Sequence, residues 1–445
     1  MSDRKFSWGI TFIIGLGFFT TGLSWSLYNT FLGPYIQDFI GVYALLLPVP
    51  LIIGLIMVLD NITAFILQPF IGGKSDKTRT RWGRRMPYLI VGIPLSAILF
   101  VFIPIAGAIP FSSGIWVLVA IIAVFNVAMA VYRSPTVALM PDFTPSEYRT
   151  KANGVINLMG GVGSIIAFAL GTTLYRLPGF IGWIPIGPVI SFGFVSLVMV
   201  LVLLIMVWRL KEPPVPTDVE ERKDLGIGPA VKEVFRSKDR TGINILMAIF
   251  SWFLAYQALE AFFTLYGENV LLIDRASAGF MLTAFALTFV LFAIPAGYIA
   301  NVISRKKAIM IGIVGFAACI GIIPIIPLLS PSLAYIGTMA LLLIAGIFWA
   351  MINVQSIVLV WEIGKRRMGS FTGIYYLFSA LSAMVGPVVC GAIIWYGGVL
   401  IGQPLGNYVL MWPFSVIVLI IAFLFMLGVK SGEIGEEDKL LTETE

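Results

Sequence analysis

The sequence contains no histidine and only two cysteines, Cys319 and Cys390, among its 445 residues. The lack of histidine excludes zinc or haem ligation by imidazole, and any proton chemistry must therefore use carboxylates. Both cysteines lie inside apolar runs, so neither a disulfide framework nor a C-x-x-C metal site is indicated. We expect no metal and no cofactor.

Charge is also scarce, because 12% of the residues are charged and 59% are hydrophobic. A soluble domain carries about 25% charged residues, and a soluble globule of this size cannot cover so apolar a core with so little charge. Apolar runs of roughly 20 residues recur along the chain, whereas the ~10-residue alternating segments of a membrane barrel are not seen. The sequence therefore predicts an all-α membrane protein.

Hydropathy predicts twelve transmembrane helices. The apolar windows cover residues 8–32, 43–71, 88–110, 114–140, 152–175, 184–209, 242–266, 277–300, 308–328, 333–360, 370–396 and 405–429. The first run lacks a following small-residue cleavage site, so we expect a retained span and not a cleaved signal. The predicted organisation is a six-helix half at 1–210, a cytoplasmic linker at 211–240, a second six-helix half at 241–430 and an acidic cytoplasmic tail at 431–445.

The distribution of basic residues predicts the orientation. Alternate loops hold nearly all the Lys and Arg, as in Arg305–Lys307 and Lys365–Arg367, whereas the other loops carry only Arg176 and Arg275. By the positive-inside rule, both termini are cytoplasmic in a multi-pass protein of the cell membrane. The net charge of +6 is explained by this topology, and no nucleic-acid partner is needed.

A charged motif recurs at half the chain length. Gly72–Asp76 followed by Arg81–Arg85 comes after the second span, and Gly297–Asn301 followed by Ser304–Lys307 comes after the eighth, 225 residues further on. Glycine permits a tight turn, and an acid bridges to basic partners across the loop. Such parallel halves resemble the major facilitator architecture. We interpret the first copy as a gating loop formed by Gly72, Asp76, Arg81, Gly83, Arg84 and Arg85. The alternative is that these residues only determine topology.

Two runs in the first half carry a closer resemblance. Gln68–Gly92 (QPFIGGKSDKTRTRWGRRMPYLIVG) and Ser134–Gly163 resemble the glycoside–pentoside–hexuronide cation symporter group, and in particular its sucrose-type branch and the prokaryotic relatives of that branch. The resemblance implies the major facilitator fold and secondary active transport by alternating access. The implied substrate is a sugar, a disaccharide or glycoside, coupled to a proton or a sodium ion. The expected surroundings are the lipid bilayer, and the expected state is a monomer.

Charges inside apolar spans cost at least ~2.5–3.5 kcal/mol each, and therefore mark functional candidates. Asp60 lies about 17 Å from the cytoplasmic end of the predicted second helix, near the midplane. A desolvated carboxylate there suits proton exchange, so Asp60 is the predicted coupling site, with Arg133 of the fourth helix as its partner. The alternatives are a structural role for Asp60 and an Arg133 that snorkels to the cytoplasmic surface.

Glu260 in the seventh helix is the third such charge, and it shares a helix face with Tyr256 at i and i+4. Carboxylates accept hydrogen bonds from sugar hydroxyls, and aromatic rings stack on apolar sugar faces. The candidate substrate residues are polar or aromatic and lie within spans: Trp25, Tyr28, Asn29, Asn126, Trp252, Tyr256, Gln257, Glu260, Asn353, Gln355, Tyr375 and Tyr376. The alternative for each is packing or a place in the interfacial aromatic belt.

The sequence departs from the family pattern at its coupling positions. The cation-binding acids of melibiose-type members fall at Ala64 and Gln68, and the helix-four acid of sucrose-type members falls at Asn126. Asp60 has to substitute for the proton site of the sucrose-type members. A sodium-coupled sugar symporter and an exporter of small hydrophobic compounds stay open as alternatives. A membrane-embedded enzyme is disfavoured, because the outer loops are nearly free of charge and no paired acidic motif is present. A receptor or scaffold would not need charges at the midplane.

Overall fold

The computed structural model describes residues 7–42, 48–110, 114–144, 148–212, 227–236, 240–363, 368–403 and 406–430. Within these ranges, twelve helical stretches are long and apolar enough to cross a membrane, as the hydropathy predicts. Most of the linker at 211–240, the tail at 431–445 and the basic loop Lys365–Arg367 lie outside the described residues.

The first six spans are built from eight helices. These are α1 (Trp8–Val42), α2 (Val49–Met57), α3 (Leu59–Lys77), α4 (Met86–Gly107), α5 (Gly114–Phe143), α6 (Arg149–Ile166), α7 (Thr172–Tyr175) and α8 (Ile186–Arg209). A short antiparallel hairpin of β1 (Phe180–Ile181) and β2 (Ile184–Pro185) precedes α8.

A linker helix and the last six spans follow. They comprise α9 (Ile227–Arg236), α10 (Thr241–Asn269), α11 (Arg275–Ile303), α12 (Arg305–Ile322), α13 (Ile326–Leu329), α14 (Ala334–Ile363), α15 (Met368–Leu400) and α16 (Met411–Leu427). Single 3₁₀ turns stand before α13, α14 and α16.

The first two spans extend beyond their predicted limits. The first, α1, ends at Val42, where hydropathy predicts an end at residue 32, and the second differs in its interior as well. A break at Val58 separates α2 from α3, and α3 continues to Lys77 where the hydropathy predicts an end at residue 71. Gly72, Gly73 and Asp76 of the charged motif are therefore helical, whereas Gly83 lies in the loop that follows. The Ser75 hydroxyl donates to the Gly72 carbonyl at 2.8 Å, and side chains of the following loop bind this last turn. Polar contacts, which hydropathy does not register, extend the helix beyond the apolar run.

The fifth span contains a π-helical turn at Ala167–Gly171, between α6 and α7. A π turn displaces a carbonyl from the regular ladder, and such turns are frequent at functional sites. Here the Ser191 hydroxyl of α8 donates to the Gly171 carbonyl at 2.7 Å. The π turn sets the direction in which α7 leaves the span.

The chain divides into two compact units that do not coincide with a simple cut at the linker. Unit 1 comprises Met1–Val49, Leu55–Val219 and Ile273–Thr283, and unit 2 comprises Pro50–Gly54, Glu220–Leu272 and Ala284–Glu445. Fully buried aromatic side chains fill the core of each unit, among them Phe31, Phe100 and Phe192 in unit 1 and Phe262 and Trp412 in unit 2.

Candidate functional site

An aromatic cluster in unit 1 joins the middle of α1 to α5. Trp25 and Tyr28 lie one helical turn apart with ring centroids 5.2 Å from each other. Phe125 of α5 stacks on Tyr28 at 5.7 Å and meets Trp25 at 6.1 Å. Asn126 follows Phe125 and is buried beside Tyr28. Three residues predicted to bind substrate are thus brought together around Phe125.

The polar atoms of this cluster are buried and make no hydrogen bond of normal geometry to the described residues, although the Asn126 side chain lies within interaction distance of the Tyr28 hydroxyl. They are the Trp25 indole nitrogen, the Tyr28 hydroxyl and both amide atoms of Asn126. Tyr28 is 1% exposed and Asn126 is 2% exposed. Most buried polar atoms in proteins are paired, and an unpaired one costs about 1–3 kcal/mol. These buried donors and acceptors are what the cluster can offer to a ligand, and substrate contact by Trp25, Tyr28 and Asn126 stays a prediction.

The two predicted coupling residues, Asp60 and Arg133, each interact with one aromatic residue of this cluster. Asp60, in the first turn of α3, accepts a hydrogen bond from the Asn61 amide at 2.8 Å and lies within electrostatic reach of the Tyr28 hydroxyl. The Arg133 guanidinium stands 5.9 Å from the centre of the Trp25 ring, within the range of a cation–π contact. Asp60 and Arg133 therefore act on neighbouring turns of α1, and a direct pairing between them stays a prediction.

The depth of these charges differs from the sequence estimate. Because α3 ends at Lys77, Asp60 lies about 26 Å from the C-terminal end of its helix and about 17 Å from the start of α2. Arg133 lies about 15 Å from the end of α5 at Phe143, deeper than hydropathy predicts. Its contact with Trp25 directs the guanidinium toward α1.

A second aromatic cluster lies in unit 2. Tyr256 of α10 stacks on Trp349 of α14 at 4.5 Å with the rings 6° from parallel, and Phe253 meets the Trp349 ring edge-on at 5.7 Å. Glu260 acts electrostatically on the Tyr256 hydroxyl, as expected for two residues on one helix face. Trp252 is fully buried, and its indole nitrogen has no partner in the part of the chain that is described.

The remaining candidates have different surroundings. The Gln355 amide donates to the Ala296 carbonyl at 3.2 Å and so joins α14 to α11, which supports a packing role. Tyr375 shares a hydrogen bond of 3.0 Å with Ser356, whereas Tyr376 is 56% exposed. Asn29, Gln257 and Asn353 are partly buried. Substrate contact by these residues stays a prediction.

The two clusters occupy equivalent positions of the internal repeat. Trp25-Ser26-Leu27-Tyr28-Asn29 in α1 corresponds to Phe253-Leu254-Ala255-Tyr256-Gln257 in α10, with Tyr256 following Tyr28 by 228 residues. Trp349 follows Phe125 by 224 residues. Phe125, Phe253 and Trp349 are absent from the sequence-based candidates. The recurrence of an aromatic-x-x-Tyr-amide pattern is the signal that identifies Phe253, whereas Phe125 and Trp349 lie outside that pattern.

The predicted gating loop is a charge cluster around Arg85, which is 5% exposed. The Arg85 guanidinium donates to Asp76 at 2.5 Å, to Asp142 of α5 at 3.1 Å and to the Ser75 hydroxyl at 2.5 Å. Arg84 also pairs with Asp142. The C-terminal ends of α3 and α5 and the start of α4 are thereby tied together.

Glu212, just after α8, completes this cluster. Its carboxylate accepts hydrogen bonds from the backbone N–H groups of Arg84, Arg85 and Met86 at 2.7, 2.9 and 2.7 Å, which caps the start of α4. Gly83 has φ +106°, and a Cβ there would lie 2.4 Å from the Glu212 carboxyl carbon, so the turn requires glycine.

In the same loop, the Arg81 guanidinium lies over the Trp82 ring, 4.4 Å from its centroid. The sequence-based candidates do not include Asp142 or Glu212, although Asp142 lies within the run Ser134–Gly163 that carries the family resemblance.

Residues 14–387 and 269–439 match the sequence profile of the Major Facilitator Superfamily. The chain belongs to the major facilitator superfamily. It is a multi-pass membrane transporter and not an enzyme, as the sequence predicts.

Relatives within the superfamily include several sugar transporters. The isoprimeverose transporter of Lactiplantibacillus pentosus is 24% identical over 405 residues, which cover 87% of this chain and 79% of that protein. Sucrose transport protein SUC3 of Arabidopsis thaliana is 27% identical over 172 residues, which cover 34% of this chain and 27% of that protein. The class E tetracycline resistance protein of Escherichia coli is 26% identical over 340 residues, or 76% of each chain.

Solved structures share the fold. The crystal structure of a D-xylose-proton symporter superposes with a TM-score of 0.72 at 15% identity, covering 94% of this chain and 96% of that one. An inward-facing, unoccupied bacterial homologue of the human lysosomal transporter Spinster gives a TM-score of 0.72 at 17% identity, covering 95% and 97%. At these identities, the likeness establishes the architecture alone.

Proposed function

We propose that this transporter is a proton-coupled symporter of a sugar, a disaccharide or glycoside, in the cell membrane, with both termini cytoplasmic and alternating access as its mode of action. The observation that carries the proposal is the set of unpartnered polar atoms on Trp25, Tyr28 and Asn126. A sugar ring presents hydroxyl groups around its edge and an apolar face to an aromatic ring. Its hydroxyls would satisfy these donors and acceptors, and the apolar face would lie on the rings.

The coupling step follows from the position of Asp60 beside Tyr28. While Asp60 is ionised, its charge attracts the Tyr28 hydroxyl and the guanidinium of Arg133, and both are held away from a ligand. When Asp60 takes up a proton, this attraction ends and the two groups become available to sugar hydroxyls. Proton and sugar then bind together, which is the requirement for symport.

The charge cluster at the inner ends of α3, α4 and α5 serves as the gating element in this scheme. Its ion pairs are tightly made around the buried Arg85. It keeps the inner ends of these helices in one rigid group when the transporter changes state.

The second candidate function, export of small hydrophobic compounds, is favoured by the similarity to the tetracycline resistance protein. A hydrophobic substrate would leave the polar atoms of the unit 1 cluster unpaired, which counts against it.

The test is uptake of radiolabelled disaccharides and glycosides into proteoliposomes under an imposed pH gradient, an imposed sodium gradient or neither. We expect accumulation of at least one sugar when the outside is acidic, with no requirement for sodium. Sodium dependence would replace the proton as the coupling ion. If no sugar is accumulated under any gradient while a hydrophobic cation or tetracycline is expelled, the export function replaces the proposal.

The Asp60→Asn variant tests the coupling residue in the same vesicles. It removes the titratable group and keeps the shape of the side chain, so we expect loss of uphill accumulation with retention of sugar exchange, which needs no net proton movement. Glu260→Gln is the matched control, because it neutralises the other acid inside a span. It should weaken sugar affinity and retain coupling. Accumulation by Asp60→Asn against a gradient would remove Asp60 from the mechanism.

A further inference from the structure

The two basic residues of the predicted outer loops, Arg176 and Arg275, both stand in ion pairs. The two terminal nitrogens of Arg275 donate to the two carboxylate oxygens of Asp38 at 2.7 and 2.5 Å. The Arg275 side chain is 16% exposed and that of Asp38 is 47% exposed. A two-pronged pair with one partly buried partner is stronger than an ordinary surface ion pair.

The second pair joins the same helix to a different element. Arg176 follows α7, and its Nε donates to Asp274 at 3.3 Å while its Nη2 donates to the Ser277 hydroxyl at 2.5 Å. Asp274 also accepts the Ser277 backbone N–H at 2.9 Å and so caps α11. Partial burial raises the pKa of the Asp274 carboxyl, but hydrogen bonds from Ser277 and the charge of Arg176 lower it further, to below its ordinary value. Asp274 is therefore charged at neutral pH.

Close packing reinforces these pairs one turn further along α11. A Cβ on Gly279 would lie 2.6 Å from the Thr172 methyl group of α7 and 2.8 Å from the Thr30 methyl group of α1. No side chain fits there without displacing a neighbour. The first two turns of α11 are thus held to α1 and α7 by charge and by shape.

The contacts of α11 change along its length. Ile273–Thr283 belongs to unit 1, together with Asp38, Arg176 and Thr172, whereas the helix from Ala284 onward belongs to unit 2. The contacts of this segment therefore join a helix of the second half of the sequence to helices of the first. A transition in a protein takes place at discrete contacts of this kind, which are either made or broken.

We propose that Asp38–Arg275 and Arg176–Asp274 form an outer latch, which holds the first turns of α11 on α1 and α7 and opens when the outer side admits substrate. The inference rests on alternating access as part of the proposed function. Both pairs involve side chains that are partly exposed, so water solvates the charges when the latch opens. The free energy needed to separate the two ion pairs is therefore small, so the latch can open and close in every transport cycle.

The test measures opening directly, without sugar. Thr172 is 1% exposed under Gly279, so a Thr172→Cys variant reports the departure of α11 through its reaction with a membrane-impermeant maleimide added outside. Both native cysteines are buried, which keeps the background low. We expect Asp38→Asn and Arg275→Gln each to raise the labelling rate about fivefold to tenfold, the range of a typical conformational coupling.

The charge-reversed pair Asp38→Arg with Arg275→Asp should return the labelling rate to within about twofold of the parent, because the attraction is restored. Glu268→Gln is the matched control, since it neutralises an outer acid outside the two latch pairs, and it should leave the rate unchanged. Arg275→Lys keeps the charge and loses the two-pronged geometry, so an intermediate rate is expected. Unchanged labelling in the single variants, or no recovery in the reversed pair, would overturn the latch. Because labelling needs no sugar, the labelling rates test the latch even if the sugar uptake assay fails.

Discussion

At the scale of single residues, Asn126 is the most informative side chain. Its amide is buried with neither atom paired among the described residues, which costs stability unless a ligand supplies the partners. Sites of this kind trade stability for binding, since the same atoms that destabilise the empty protein recognise the substrate. Asn126 is therefore the position at which stability and transport should respond in opposite directions.

We expect Asn126→Leu, which keeps the volume and removes the polar atoms, to stabilise the detergent-solubilised protein by about 1 kcal/mol and to abolish high-affinity sugar binding. Thermal unfolding and equilibrium sugar binding measure the two effects. Gln355→Leu is the comparison variant, because Gln355 already donates to the Ala296 carbonyl and its loss should destabilise. A destabilised Asn126→Leu that binds sugar normally would contradict the assignment.

The residue scale also shows where the sequence alone is insufficient. Asp60, Arg133 and Glu260 were identifiable because a charge inside an apolar span is costly and conspicuous. Phe125 and Trp349 were not, because an aromatic residue in such a span looks like any other apolar one. Only their contacts with Tyr28 and Tyr256 distinguish them.

At the scale of elements, the start of α4 depends on a residue from beyond the end of α8. The backbone N–H groups of Arg84, Arg85 and Met86, at the entry to α4, have no partner within the helix, and the Glu212 carboxylate accepts hydrogen bonds from all three. We expect Glu212→Ala to destabilise the protein by about 1–2 kcal/mol and to lower the transport rate, as measured by thermal unfolding and by sugar exchange.

Glu212→Gln retains an acceptor oxygen without the charge, so its effect should be less than that of alanine. Lys211→Ala changes the adjacent charge outside this contact and serves as the control. Equal stability of the alanine variant and the parent would show that water replaces Glu212 at the helix start.

The elements were largely predictable, with two informative exceptions. Length and hydropathy locate all twelve spans, because the bilayer imposes both. The break at Val58 and the π turn at Ala167–Gly171 were not predictable, since neither has a proline or a charge that signals it. Both arise from packing, which a single sequence does not display.

At the scale of the whole molecule, the orientation predicted from basic residues has a simple test. We expect a cysteine replacing Arg79, in the loop after α3, to react with an impermeant maleimide from the cytoplasmic side only. A cysteine replacing Ile181, in the hairpin and 72% exposed, should react from the outside only. Labelling of intact cells and of inverted vesicles gives the two sides, and the opposite pattern would reverse the topology.

The division into two units bears on how the protein is made. Unit 1 is incomplete until residues 273–283 have been synthesised, and unit 2 contains Pro50–Gly54 from near the start of the chain. Neither unit can acquire its final contacts while the ribosome is still producing the other half. The packing of each unit is therefore completed only when segments from both halves of the sequence are present, and neither half contains all the residues of one unit.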